Sequence, residues 1–281
     1  MRIPNFICLL FVLFGSNFIE AQSNWSFEGN LNTQPSSEAT FNESNMGISH
    51  NYKKGNYQFE VDATYKNTAV KYDFNHENWA NKFSKFNSLT FDFVAHYNWS
   101  NNTNLSATIT PSYNYQTVIN SNDFFLLGEL KLKQKLGKQS AISIGVNRSF
   151  TLGKLQYLPS FAWNQKLNHN MELQIGFPES IWNYSNNERN TFRITNLFNG
   201  TIYNLENSLS TEYVKAQQAT ISQMTSSASY ERKIDEKWLL KFQAGYNFNR
   251  SYKLIDNDSQ TIKDFEIKDG ALFSLGIKYK L

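Results

Sequence analysis

Charged side chains recur at every second position in several parts of this chain, and that spacing says which surface they share. Glu129, Lys131, Lys133 and Lys135 alternate with Leu130, Leu132 and Gln134, so on an extended backbone all four charges project from one face. Glu60 and Asp62 do the same in one segment, and Asp92 and His96 in another. Opposite charges on the walls of an enclosed passage would set up a transverse field that selects polar or charged solutes. The same side chains paired with one another would close that passage as a salt-bridged core, and spacing alone leaves both readings open.

Acid–base catalysis would require an imidazole within hydrogen-bond reach of a hydroxyl or a carboxylate. Of the four histidines, His50 shares a face with Ile48 and Tyr52, His76 lies in an irregular connection and His169 in a tight turn. His96 has Asp92 as its same-face neighbour, which is about 13 Å away along a strand. No histidine acquires a partner from local spacing, no His/Asp/Glu cluster has metal spacing, and no Gly-rich phosphate loop occurs. The expectation is a non-enzyme with no catalytic, cofactor-binding or metal residues. Net charge is +3, from 27 Lys+Arg against 24 Asp+Glu, without a basic block interleaved with aromatics, so nucleic acid is not an expected partner.

The elements that must carry these residues are strands. Leu89, Phe91, Phe93, Ala95, Tyr97 and Trp99 alternate with Thr90, Asp92, Val94, His96 and Asn98. The same period of two runs through Leu105 to Gln116, Tyr57 to Tyr65, Met171 to Phe177, Trp238 to Phe248 and Gly270 to Leu281, and helical spacing fits none of them. Asn207 to Lys215 and Thr220 to Lys233 alternate poorly. Composition agrees: 40% of residues are hydrophobic and 16% aromatic, yet mean hydropathy is -0.53, as expected when only every second strand residue meets lipid.

Residues 1–21 read as a cleaved signal peptide, with Met1-Arg2, the apolar stretch Phe6 to Phe14 and a small-residue site at Ile19-Glu20-Ala21. Residues 22–281 then form one domain. Cys8, the only cysteine, falls in the leader, which leaves the processed chain without a thiol or disulfide.

Short polar turns at Lys53-Lys54-Gly55-Asn56, Asn101 to Asn104, Gly137 to Ser140, Asn168 to Asn170 and Asp235 to Lys237 alternate with longer connections at Leu31 to Thr40, Asp73 to Asn87 and Asp256 to Lys263. That parity gives an all-β, antiparallel, up-and-down transmembrane β-barrel of about 14 strands, with 12 as the alternative, both termini periplasmic. Tyr52, Tyr57, Trp99, Trp238 and Tyr279 face outward beside the short turns, where an interfacial aromatic girdle belongs. Glu60, Asp62, Asp92, His96, Glu129, Lys131, Lys133 and Lys135 face the expected lumen.

The stretches Leu-Pro-Ser-Phe-Ala-Trp-Asn from Leu158, Gly-Phe-Pro-Glu-Ser-Ile-Trp-Asn-Tyr-Ser from Gly176 and Asn-Gly-Thr-Ile-Tyr-Asn-Leu from Asn199 resemble uncharacterised single-chain outer-membrane barrels of Bacteroidota-type gram-negative bacteria. The resemblance implies residence in the cell outer membrane, with lipid and the outer-membrane assembly machinery as partners, and brings no catalytic or ligand residues. Such barrels often end on an aromatic, whereas this chain ends on Leu281 with Tyr279 and Phe273 in phase. The functional expectation is a channel or uptake pore for small polar solutes. A closed structural barrel binding a partner through its external loops is the alternative, and an exported carbohydrate-binding β-sandwich is the third, since sandwich strands also alternate.

Overall fold

A computed structural model describes residues 24–72, 83–206, 216–256 and 258–281. The leader, most of the connection after Tyr72 and the stretch Asn207 to Lys215 lie outside these residues. The strands are β1 (Asn24–Gln34), β2 (Ala39–Lys54), β3 (Tyr57–Tyr72), β4 (Lys85–Asn98), β5 (Thr103–Tyr115), β6 (Phe124–Lys135), β7 (Ser140–Ser149), β8 (Gln156–Lys166), β9 (Met171–Phe177), β10 (Glu179–Asn187), β11 (Asn190–Asn204), β12 (Gln218–Lys233), β13 (Trp238–Ile255), β14 (Thr261–Asp264) and β15 (Gly270–Lys280). Each strand from β1 to β12 pairs antiparallel with the next, and β12–β13, β13–β15 and β15–β1 pairings complete the circle. β14 pairs only with the end of β13, so the closed ring holds 14 strands. This is the expected barrel at the higher strand count. A two-layer sandwich is ruled out by the continuous ladder.

Register fixes the faces. Val61↔Phe93↔Ile109↔Gly128 runs across β3 to β6 on the outside, and Glu60↔Val94↔Thr108↔Glu129 runs beside it on the inside. Met46 is 69% exposed and Ile109 56%, both on the outer face, as a lipid-facing surface requires. Strand neighbours at the short turns share that face. Leu167 with Met171 and Ile234 with Trp238 are joined by backbone hydrogen bonds. Tyr52 sits opposite Phe59, Leu105 opposite Tyr97 and Ile142 opposite Gln134. Each of these pairs lies on the outer face, which a register shift of two would preserve and a shift of one would invert.

Local chemistry accounts for the turns. Gly55 has φ +58 in the two-residue link between β2 and β3, the left-handed first position of a type II′ hairpin. Between β10 and β11 the Asn187 side chain accepts from the Arg189 and Asn190 amides, at 2.9 Å each, a short turn the sequence reading did not separate. In the β12–β13 turn, Asp235 accepts from the Trp238 and Lys237 amides, and these donors hold its carboxyl below the usual range. Thr220 to Lys233, poorly alternating in sequence, lies inside the full-length strand β12.

At the opposite, loop-bearing end the β1–β2 connection is tied to the segment entering β15. Glu38 accepts from the Lys268 amide (3.1 Å) and pairs with the Lys268 ammonium (2.9 Å). The Ser37 hydroxyl, with Lys268 behind it, lowers the Glu38 pKa from 4.5 to about 2. A depressed folded-state pKa stabilises above the unfolded value and ceases to do so as pH falls through the folded one. Thermal unfolding of Glu38→Gln against the parent should therefore show a constant deficit above about pH 5 that vanishes towards pH 2.

The faces carry a second expectation. Phe93→Arg and Ile109→Arg should each cost about 2 to 4 kcal/mol in vesicle refolding, and Thr108→Arg much less, because only the first two side chains meet lipid. Equal costs for the three would contradict the register.

Candidate functional site: the barrel interior

The interior is divided along the barrel axis by chemistry. Towards the short-turn end it is charged. Asp62 lies directly opposite Asp92 on β3 and β4, and Thr110 on β5 donates to the Asp92 carboxylate. His96 Nε2 is 3.7 Å from a Glu60 oxygen, a partner that sequence spacing could not reveal because it stands on the adjacent strand. Ser106 is opposite His96, yet its hydroxyl donates to the Lys131 carbonyl. Lys131 pairs with Glu129 of its own strand at 2.8 Å, and Lys135 donates to the Asn101 carbonyl at the turn.

All eight charged or imidazole side chains singled out from the sequence thus lie on the inward side of the register, but they do not oppose one another across the bore. Only β5 separates Asp92 on β4 from the lysines of β6. Further ion pairs lace the same half: Arg193–Glu231 at 3.5 Å, Lys278–Glu28 at 3.7 Å and Lys166–Glu172 at 3.2 Å. Among the described residues, no group of three or more His, Cys, Asp or Glu could hold a metal ion.

Towards the loop end the interior becomes apolar, which the sequence reading missed. Phe41, Val70, Phe86, Tyr203, Tyr252 and Leu254 point inward from β2, β3, β4, β11 and β13, each buried, and Phe83, Leu205, Ala216, Phe265 and Ile267 join them from the connections. The Phe86 and Tyr203 rings stack at 4.9 Å, Tyr252 and Phe265 at 4.2 Å, and the Tyr72 hydroxyl donates to that of Tyr252 (3.0 Å). A bulge makes this possible. Asn249 takes φ +49, the β12–β13 register slips by one, and the inward set on β13 changes from Gln243 and Asn247 to Tyr252 and Leu254.

Beneath this plug a cavity of about 440 Å³ is lined by one arc of the ring, β10–β13, β15 and β1–β3, whose two ends, β10 and β3, face each other across the bore. Its wall mixes Glu43, Lys66, Glu179, Arg193 and Lys241 with neutral amides and hydroxyls, and Phe41, Tyr203 and Ile221 form the end shared with the plug.

Outside, aromatic rings collect near the short turns. Trp25 packs on His50 (4.4 Å), Tyr57 on Tyr97 (4.9 Å), Phe192 on Tyr230 (5.1 Å) and Trp238 on Tyr279 (4.7 Å). Tyr52 faces outward on β2, and Trp99, in the β4–β5 turn, is 71% exposed.

A closed antiparallel ring of 14 strands, apolar outside and polar over much of its interior, is the architecture of an outer-membrane β-barrel. The chain belongs to the family described as a domain of unknown function (DUF6268), whose model matches residues 94–280. No curated protein sequence matches it. Similar solved structures include a KdgM porin in complex with disordered oligogalacturonate (9% identity, TM-score 0.41, covering 90% of this chain and 98% of that one). A NanC porin is similar at 10% identity and TM-score 0.45, covering 91% and 100%. A Pseudomonas aeruginosa FadL homologue is similar at 10% identity and TM-score 0.47, covering 92% and 89%.

The plug is expected to carry much of the loop-end stability. Phe86→Ala should destabilise the barrel by about 3 to 5 kcal/mol in detergent unfolding, the usual cost of deleting a buried phenyl ring. Val118→Ala, at an exposed loop position, should cost under about 0.5 kcal/mol.

Proposed function

We propose that the chain is an outer-membrane channel or uptake pore for small polar solutes, closed at its loop end in the state described. The observation that carries this reading is the cavity of about 440 Å³ under the plug, walled by polar and charged side chains from opposite sides of the ring. A barrel built only for rigidity gains by filling its bore with packed side chains, because close packing supplies dispersion energy that open space forgoes. Here polar space is retained. Much of what roofs it comes from connections, including Phe83, Leu205, Phe265 and Ile267, so opening would break terminal bonds such as Leu205 N–H to the Gln217 carbonyl and Phe265 N–H to the Tyr252 carbonyl while leaving the ring closed.

In this reading the short turns and both termini are periplasmic, and residues 1–21 are removed on export. Tyr52, Tyr57, Trp99, Trp238 and Tyr279 sit in the inner interfacial layer, and the assembly machinery of a Bacteroidota-type envelope inserts the barrel. Lys133, with no ion pair within 4 Å among the described residues, and Lys135 then line the periplasmic mouth, and Glu60, Asp62, Asp92, His96, Glu129 and Lys131 line the wall above it.

A closed structural barrel is favoured by one specific observation, the wall-to-wall contact of Phe86 on β4 with Tyr203 on β11. Conductance across a planar bilayer decides between the two. For a pore, Phe86→Ala and Tyr203→Ala should raise the open-channel current above the parent's, and changing Lys131, Lys133 and Lys135 to Glu should move the reversal potential towards cation selectivity. Variants that lose thermal stability while conducting no more than the parent would establish the closed barrel instead.

A further inference from the structure

The cavity contains an organised set of neutral hydrogen-bonding groups that simple passage of ions does not need. Gln34, in its wall, joins several of them. Its Oε1 accepts from Gln223 Nε2 (3.0 Å) and Asn247 Nδ2 (2.9 Å), while its Nε2 donates to Glu43 (3.3 Å). Asn247 Oδ1 accepts from the Thr225 hydroxyl (2.7 Å), which accepts in turn from Asn199 (3.3 Å). Gln34, Thr225 and Asn247 are buried, so their rotamers are fixed before any solute arrives. Gly270 on β15, between β1 and β13, lets the Pro35 carbonyl come within a distance that any Cβ would forbid, which brings the end of β1 close to Asn247.

The groups left over are of mixed character. Asn45 Oδ1 is buried without a partner among the described residues. Lys241 and Glu179 line the same space without an ion pair within 4 Å among the described residues, and Lys66, engaged by the Tyr203 side chain, lies beside them. Phe41 and Tyr203 supply ring surface at the closed end. A fully apolar solute would leave these polar groups unpaired, and a simple ion of either sign would meet wall charges of its own sign, since two carboxylates and three cationic groups line the space and one of the latter, Arg193, is already paired with Glu231. A polyol avoids both penalties, because each hydroxyl donates to carboxylate and amide oxygens and accepts from ammonium and amide N–H groups. Its C–H faces can lie on the rings.

We infer that the cavity is a binding subsite for a neutral, hydroxyl-rich solute of mono- to disaccharide size. Its volume falls within the range of about 300–1,000 Å³ usual for small-molecule sites. The inference rests on the channel reading only for how the solute reaches the site.

The test uses the full barrel in detergent, titrated calorimetrically with sucrose, glucuronate and glycine betaine as the neutral, anionic and zwitterionic probes. Sucrose should bind saturably with one site per chain, and the other two at least about tenfold more weakly. Asn45→Ala, which breaks no hydrogen bond within the protein, should weaken sucrose binding about tenfold with an unchanged melting temperature, and Gln223→Leu should weaken it further. Absence of saturable sucrose binding, indifference to Asn45→Ala, or preference for glucuronate or betaine would each overturn the proposal. Sucrose-driven swelling of proteoliposomes separates the two readings. Saturable binding without swelling upholds the subsite and overturns the pore, whereas swelling without saturable binding upholds the pore and overturns the subsite.

Discussion

Within the hydrocarbon of a bilayer an unpaired backbone N–H or C=O has no water to turn to and costs several kcal/mol, so a sheet that crosses must close on itself. In this chain the closure falls between its two ends, where Phe27↔Tyr279 and Leu31↔Leu275 zip β1 to β15. Once that seam is made the ring has no edge, and inside and outside are fixed for every residue by parity alone. The outward aromatics, the inward ion pairs and the cavity all follow from it. A slip of one residue at this single seam would set one side of it out of phase with the other.

The bore is not uniform, and the unevenness follows strand length. β2, β3, β12 and β13 have 16 to 18 residues, whereas β9 and β10 have 7 and 9. The long strands carry Phe41, Val70, Tyr252 and Leu254 at their loop ends, where those side chains meet one another. β4 and β11 are diametrically placed, with β5 to β10 between them one way and β3, β2, β1, β15, β13 and β12 the other, yet Phe86 and Tyr203 touch. The ring is therefore pinched at that level, held by apolar burial together with a parallel backbone pairing of Asn204 on β11 with Tyr115 on β5.

The charged half shows why counting lumen charges is a poor guide to selectivity. Lys131 finds Glu129 two residues away on its own strand, Arg193 finds Glu231 on the next, and Glu60 finds His96 diagonally. Pairs of this kind in a partly solvated bore contribute little each to stability. The wall nonetheless stays patchy in sign, with Asp62 directly opposite Asp92 and Lys133 outside any ion pair among the described residues. The cavity differs in kind, since neutral amides tied to one another share its wall with charged groups, of which Lys241 and Glu179 have no ion pair within 4 Å among the described residues.

The sequence by itself determined that the chain forms two-faced strands joined by alternating short and long connections, and which residues of most strands look outward. Period two is a local property of the backbone, and the cores of Leu89 to Trp99 and Trp238 to Phe248 carry it almost cleanly. It also determined the acid and lysine faces, for the same reason. Only the tertiary structure decided what lay across a strand boundary or across the bore. The Glu60–His96 pair depends on register, which turn lengths set to within two residues but no closer. The plug was illegible because apolar residues on the inner face at Phe41, Val70 and Ala219 reverse the usual sign of alternation, and because the bulge at Asn249 changes the parity of β13 in mid-strand. The cavity was illegible too: Gln34 and Asn247 are 213 positions apart and meet only because the ring closes.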